Sequence, residues 1–250
     1  MIRACAVIPY FEHPRTLGVI VARLRQCGLE CWIVDDGSGP GAHAVAQALV
    51  SREPDGVRLV THDANRGKGA AVLSGCRAAA VAGYTHALQV DADGQHDLED
   101  IPRFLAQAAQ HPQALVLGVP RFEGSMPAAR RYGRHLTHLW VWINTLSLDI
   151  SDSMCGFRVY PLRTVLALAD SEPMGERMDF DTEVVVRLHW RGVPIIEIPT
   201  RVLYPQDGVS HFQLWRDNVL ISRMHARLFF GMLRRFPRLV ARSFRRTRPA

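Results

Sequence analysis

Along the first 120 residues, apolar positions alternate between two patterns. Short apolar runs of strand length are "CAVIPY" (5–10), "ECWIVDDGS" (30–38), "GVRLVTH" (56–62), "THALQVD" (85–91) and "QALVLGV" (113–119). Between them lie helical patterns: "HPRTLGVIVARLRQCG" (13–28), which stops at Gly28, "GAHAVAQALVSRE" (41–53), the Ala-rich "GKGAAVLSGCRAAAVAG" (67–83) and "LEDIPRFLAQAAQH" (98–111). This alternation predicts βαβ units, hence an α/β fold with a mostly parallel central sheet flanked by helices. Further on, "VPIIEIP" (193–199) predicts another strand, and Phe212 to Phe236 a helix that ends before Pro237. In such sheets ligands bind outside the carboxyl ends of the strands, and both Asp35-Asp36 and Asp91/Asp93 fall there.

The composition, 48% apolar and 22% charged over 250 residues, suits a globular chain with room for one large α/β domain or two small ones. Charge divides it unevenly. From Phe212 onward there are ten arginines and one acid (Asp217), a balance of +9, while the remainder carries 20 basic and 23 acidic residues, −3. The expected organisation is a body over residues 1–210 and a basic amphipathic helix with an Arg-rich tail over 211–250. In that helix Arg216, Arg223, Arg227 and Arg234 form one narrow stripe at about 100° per residue. Such a helix lies in a membrane interface with its cations on lipid phosphates, or packs on the core with a solvated Arg face. The body offers nucleic acid no stacking platform and no reading motif.

Five cysteines, odd in number and without a CxxC pair, point to reduced, mostly buried thiols in a cytoplasmic protein. The start shows no secretory signal, and the longest apolar stretch, "LWVWINTLSLDI" (139–150), is short and interrupted by Asn144, Thr145 and Asp149. The expected location is cytoplasmic, peripheral at the inner face of a membrane, with no transmembrane helix.

The chemistry concentrates at the strand ends. In "DADGQH" (91–96) an extended backbone would aim Asp91 and Asp93 at one place, where they repel unless a cation stands between them. Mg²⁺ or Mn²⁺ suits, since a hard divalent ion takes one or two carboxylates and completes its shell with phosphate oxygens and water. Gln95 adds a carbonyl oxygen on the same side. A solvated acidic turn is the alternative, and a "DxDxT" phosphatase nucleophile lacks its threonine here. In "VDDGS" (34–38), Asp35 can accept hydrogen bonds from a base or ribose, or cap a tight turn. "NRGKGAA" (65–71) opens a helix with two glycines around Lys68, the only lysine in the chain, an arrangement that favours an anion such as phosphate. It lacks the spacing of a Walker A loop.

"VIPYFEH", "VDDGS", "NRGKGAA" and "DADGQH", at four successive strand ends, together resemble the nucleotide-sugar-binding half of glycosyltransferase family 2, the inverting GT-A transferases. The series is most similar to the branch that transfers sugars to polyprenyl (dolichyl) phosphate, and the resemblance covers about residues 3–210. It implies a GT-A fold in which Pro9, Tyr10, Glu12 and Asp35 cradle base and ribose. It also implies that Asp91, Asp93 and Gln95 hold Mg²⁺ or Mn²⁺ on the diphosphate, with Ala92 in the donor site and Arg121 of "GVPRFEG" facing the phosphates.

Downstream, "SDSMCGFRVYPL" (151–162) resembles the family's "D…GFR" segment, which makes Asp152 the first candidate for acceptor-side catalysis; a turn residue paired with Arg158 is the alternative. "MDFDTEVVVRLHWRGVPIIEIPTRV" (178–202) resembles "FDTE…RG…EIP" and offers Asp181 and Glu183 as other bases, or as acids that suit a helix start. "YPQDGVSHF" (204–212) departs from the branch, with Pro205 and His211 where an Arg and a Lys are usual; His211 is left to contact a phosphate, order a loop or bind metal.

The resulting expectation is a metal-dependent inverting glycosyltransferase moving a sugar from a nucleoside-diphosphate sugar to a lipid-type acceptor. The alternatives are a soluble transferase with a small-molecule or protein acceptor, and a non-catalytic, membrane-associated nucleotide-sugar-binding scaffold. A sugar-1-phosphate nucleotidyltransferase would need a Gly-rich loop that "PYFEHPRTLG" does not contain. No residue distinguishes a UDP from a GDP donor.

Overall fold

Both faces of the first strand are apolar because both are covered. In β1 (Ala4–Tyr10), Cys5 and Val7 enter one core while Ala6, Ile8 and Tyr10 enter the other, as the two-residue period of a strand requires. The computed structural model, which describes residues 2–122, 128–202 and 214–246, shows helices packed on both sides of a single seven-stranded sheet. Its elements are β1, α1 (Pro14–Gln26), β2 (Cys31–Asp35), α2 (Pro40–Arg52), β3 (Val57–Thr61), α3 (Lys68–Val81), β4 (His86–Gln89), α4 (Ile101–Gln110), β5 (Leu115–Phe122), α5 (Ala128–Thr145), β6 (Arg158–Pro161), α6 (Leu162–Ser171), α7 (Phe180–Trp190), β7 (Ile195–Val202) and α8 (Leu214–Arg246). The order is β3-β2-β1-β4-β6-β5-β7, with β6 antiparallel to its neighbours and the other pairings parallel.

The chain winds outward from β1 through β2 to β3, then returns to place β4 on the other side of β1. The crevice at that reversal is where an open α/β sheet receives a ligand. Helix α3 lies close over it. A Cβ on Gly75 would stand 2.5 Å from Val7 Cγ1 and 2.9 Å from Val34 Cγ2, so the small residues of α3 serve close packing on the sheet. All five cysteines are free, and Cys5, Cys31, Cys76 and Cys155 are buried.

The last helix differs from expectation in one respect: α8 runs through Pro237 to Arg246. Proline frees the carbonyl four residues earlier, and Leu233 and Pro237 both lie on the exposed side, where water can satisfy it. Beyond the proline, buried Leu239 and a 3.1 Å contact from Arg242 Nη2 to His189 Nδ1 keep the helix on the body. Met224 and Leu228 join the main core, so α8 packs on α5 and α7. A second apolar stripe on α8 stays exposed, comprising Trp215, Val219, Phe230, Leu233 and Phe236, and Tyr132, Leu136, Leu139 and Trp142 are exposed on α5. No helix among the described residues is long and apolar enough to cross a membrane.

At the seam between α5 and α8, buried His225 stacks on Trp140 with ring centroids 5.9 Å apart, and among the described residues neither ring nitrogen has a hydrogen-bond partner. Burial lowers its pKa from 6.5 to about 4. The unfolded chain therefore takes up this proton near pH 6.5 and the folded chain only near pH 4, so stability falls as pH drops through that window, by up to about 1.4 kcal/mol per unit. His225→Phe should remove this component. In paired thermal melts the variant's advantage over the parent should widen from neutral pH towards pH 4.

Candidate active site

Strand β4 ends at Gln89, and Asp91 to Gly94 form a turn rather than continued strand. The expectation that Asp91 and Asp93 share a side rested on extended backbone and does not hold here. Asp91 turns inward. Its Oδ2 accepts from Lys68 Nζ at 2.7 Å and lies 3.5 Å from His96 Nε2, and its Oδ1 accepts from Gln89 Nε2 at 3.1 Å. The same ammonium donates to Asp181 Oδ2 at 2.6 Å. Asp181 Oδ1 is 3.5 Å from Arg158 Nη2, and the fully buried Arg158 guanidinium donates to the Asp181 and Cys155 carbonyls, both at 2.9 Å.

Two cations and two carboxylates thus form an enclosed cluster without net charge. Burial opposes each charge, but the partners prevail: Asp181 and Asp91 hold Lys68 above the usual lysine range, and Lys68 and His96 hold Asp91 below the usual carboxylate range. Gly156 makes room for it, since a Cβ there would lie 2.2 Å from Asp91 Oδ2. Asp91, expected as a metal ligand, here has Lys68 as its cation, and Lys68, expected beside a phosphate, donates to two protein carboxylates.

Asp93 and Gln95 keep open donor atoms. Asp93 Oδ1 accepts from the Gln95 backbone N–H at 3.0 Å, with Gly94 at φ 74° between them. Among the described residues, Asp93 Oδ2 and the Gln95 side-chain amide have no hydrogen-bond partner. Those residues contain no cluster of three or more His, Cys, Asp or Glu side chains able to hold a metal. Two oxygen donors with the rest of the shell open suit a hard ion that brings phosphate and water. Ala92 is buried beside them and its carbonyl accepts from Thr16 Oγ1.

The anion expected at the start of α3 turns out to be the protein's own. Asp36 accepts from the Arg66 and Gly67 N–H groups at 3.0 and 2.7 Å and from His62 Nδ1 at 2.7 Å, while the Glu176 carbonyl caps Ala70 N–H at 3.0 Å. The glycines serve the same contact: a Cβ on Gly67 would stand 2.5 Å from Arg177 Cγ, and one on Gly69 2.5 Å from Phe180 Cβ. Sequence reasoning placed Asp36 at the ligand edge with Asp35 but gave it no role of its own.

At the ends of β1 and β2, Asp35 accepts from Ser38 N–H at 2.9 Å and pairs with His43 Nδ1 at 2.6 Å. Exposed Glu12, at φ 56°, accepts from Gly39 N–H at 2.5 Å, and Pro9 is half-buried. Tyr10 does not join them. Its ring is buried on the α1–α2 side and its hydroxyl donates to the Ala42 carbonyl at 2.8 Å, which corrects its expected role in cradling a base.

Asp152 is buried, its Oδ1 accepting from the Met154 and Cys155 N–H groups at 2.9 Å each. Its Oδ2 takes Arg134 Nε at 2.6 Å and lies 3.4 Å from His138 Nε2, so its cation is Arg134, not Arg158. Glu183 is fully enclosed. It accepts from Gly175 N–H and Arg187 Nη2, both at 2.7 Å, and from Arg227 Nη2 at 2.9 Å, so it fastens α7 to α8 and offers no open face as a base. Asp181, held between Lys68 and Arg158, is likewise committed. Arg121 is exposed at the end of β5, in register with Arg201 at the end of β7. His211 and Pro205 lie outside the described residues.

A mixed seven-stranded sheet with its acidic loops at the β1/β4 reversal is a GT-A-like fold. It matches the glucosyl-3-phosphoglycerate synthase of Mycobacterium tuberculosis, solved with Mn²⁺ and uridine-diphosphate-glucose, at a TM-score of 0.67 and 13% identity, covering 92% of this chain and 79% of that one. The chain belongs to glycosyl transferase family 2, whose model matches residues 5–166. It is 28% identical over 214 residues to the undecaprenyl-phosphate mannosyltransferase of Micrococcus luteus, covering 83% of this chain and 86% of that protein. It is also 28% identical over 216 residues to the polyprenol monophosphomannose synthase of Mycolicibacterium smegmatis, covering 83% and 80%.

Glu183→Ala leaves buried Arg187 with Glu172 alone and takes the carboxylate from Gly175 N–H and from Arg227 Nη2, so urea unfolding should show a loss of about 3 kcal/mol. A base acting only in transfer would leave unfolding unchanged.

Proposed function

We propose that the chain is a metal-dependent inverting glycosyltransferase that moves a sugar from a nucleoside-diphosphate sugar to a polyprenyl phosphate or another membrane-linked acceptor. The observation that carries this reading is the open donor set of Asp93 and Gln95 at the β1/β4 reversal of a glycosyl transferase family 2 chain. Mg²⁺ or Mn²⁺, when bound there, supplies positive charge to the departing diphosphate. Asp93 and Gln95 would hold the ion, Asp35, Glu12 and Pro9 would border the nucleoside, and Arg121 would face the phosphates.

An acceptor phosphate is already anionic. Its oxygen forms the new bond to the anomeric carbon, on the face opposite the breaking bond to the diphosphate, and no proton has to be removed. That suits Asp152, whose oxygens are engaged by two N–H groups, Arg134 and His138: it orients the Arg134 cation and the His138 ring and does not abstract a proton.

The membrane side of the proposal draws on α8. At about 100° per residue, Trp215, Val219, Phe230, Leu233 and Phe236 lie within about 120° of one another, flanked by the stripe of Arg216, Arg223 and Arg234. An exposed apolar stripe beside exposed cations suits an anionic bilayer surface, with residues 211–250 as the membrane-associating part of an otherwise peripheral protein.

The test pairs UDP- and GDP-sugars with a short polyprenyl phosphate, with and without Mn²⁺, and identifies the lipid product. Asp93→Asn should lower turnover by about 100-fold or more, and unchanged turnover in EDTA would sink the metal. Replacing Trp215, Phe230 and Phe236 together by Ser should abolish pelleting with anionic vesicles while leaving the melting temperature close to that of the parent.

A further inference from the structure

We infer that Lys68 is a positioning residue that acts through Asp91: it is the built-in cation that keeps Asp91 out of the donor site, so that the turn presents Asp93 and Gln95 alone. The inference rests on the donor-site reading above, and goes beyond it in giving Lys68 a role other than gripping phosphate.

Three elements converge on one ammonium. Lys68 is the first residue of α3, Asp91 follows β4, and Asp181 is in the first turn of α7. The two carboxylates take hydrogen bonds of 2.7 and 2.6 Å, which commits two of the three N–H bonds of the ammonium. Lys68 and Asp91 expose less than a fifth of their side chains and Asp181 less than a tenth. Without the ammonium, Asp91 and Asp181 would face each other across the vacated space as unpaired, enclosed acids. The two are not equally held. Asp181 keeps Arg158 3.5 Å away and its backbone carbonyl is tied to that guanidinium. Asp91 would keep only the neutral amide of Gln89 and the ring of His96, and it sits two residues before Asp93 at the mouth of the site. Turned outward, it would add a surplus carboxylate beside the pair that should meet the metal.

This gives the chain a test by rescue. In Lys68→Met the affinity for UDP or GDP in saturating Mn²⁺, measured by titration calorimetry, should fall by about tenfold or more, because the freed carboxylate takes a position on the ion from the diphosphate and repels it; the scale is that of losing an outer partner of a metal site. The Mn²⁺ dependence of nucleotide binding should shift with it. Adding Asp91→Asn removes the freed charge while keeping an amide that can bond to Gln89, so Lys68→Met/Asp91→Asn should regain nucleotide affinity to within about threefold of the parent. A lysine that grips the phosphate directly predicts the opposite: the double variant stays as weak as Lys68→Met, and that outcome overturns the inference.

If Lys68→Met does not fold, the double variant still decides, because it leaves no unpaired charge at position 91. Parent-like nucleotide affinity supports the inference, and a tenfold deficit overturns it. Thermal melts of the nucleotide-free proteins separate this claim from the donor reading. A parent that binds neither nucleotide refutes the donor reading; the positioning claim then stands only if the melting loss in Lys68→Met is recovered in the double variant, and falls if it is not.

Discussion

The donor end of this fold depends on neutralising charge that the sheet itself buries. The carboxyl end of β4 delivers Asp91 into a space closed by α3, α7 and the Gly156 turn, where a lone carboxylate is untenable. Lys68, Asp181 and Arg158 answer it in turn, each cation shared between carboxylates or carbonyls. The loop that carries the open donors begins at the residue this cluster holds. The geometry offered to a ligand therefore follows from ion pairs that the ligand does not touch.

The same logic continues away from the site. The segment between α6 and α7 covers the glycines of α3, with Glu176 capping Ala70 and Arg177 bonding Asn65 at 3.0 Å. That segment is held by Asp179 and Glu183, and these two acids receive Arg227 of α8. Glu172 repeats the pattern with Arg187, Arg191 and Arg235. Burial raises the affinity of Glu172 for its proton, but Arg191, Arg187 and Arg235 outweigh it and hold its pKa below the usual range. Arg227 of the basic stripe, and Arg235 beside that stripe, are thus fastenings of α8 to the body. Arg216, Arg223 and Arg234 remain outward.

Six of the seven strands were legible because their signals are local; antiparallel β6, read only as part of the "GFR" segment, was not. Strand runs, helix starts and the acidic residues at strand ends each depend on a few neighbouring positions. Tyr10 was legible in principle, since it shares the parity of Ala6 and Ile8 and must enter the same core. The shared direction expected of Asp91 and Asp93 rested on the i, i+2 rule, which presumes extended backbone, and the strand ends at Gln89. The pairing of Lys68 with Asp181 spans 113 residues and that of Arg227 with Glu183 spans 44, and no periodicity reports such partners. Pro237 was read as a stop because the rule for proline takes no account of whether the freed carbonyl faces water. The glycines of "NRGKGAA" look the same in sequence whether an anion or another segment of chain approaches them.

An open donor set has a consequence for the order of events. On the proposed reading Asp93 and Gln95 would contribute two oxygens, where Mg²⁺ requires six. The remaining positions belong to water until a diphosphate arrives, and water competes strongly for a small dication. The ion and the nucleotide should therefore stabilise one another in the site, each weak alone, by a reciprocity that linkage demands of any two ligands sharing contacts. A closed set of three or more protein ligands would have fixed the metal permanently and left fewer positions for phosphate. If the proposed metal site holds, committing Asp91 to Lys68 avoids that outcome and would keep the ion exchangeable with the leaving diphosphate.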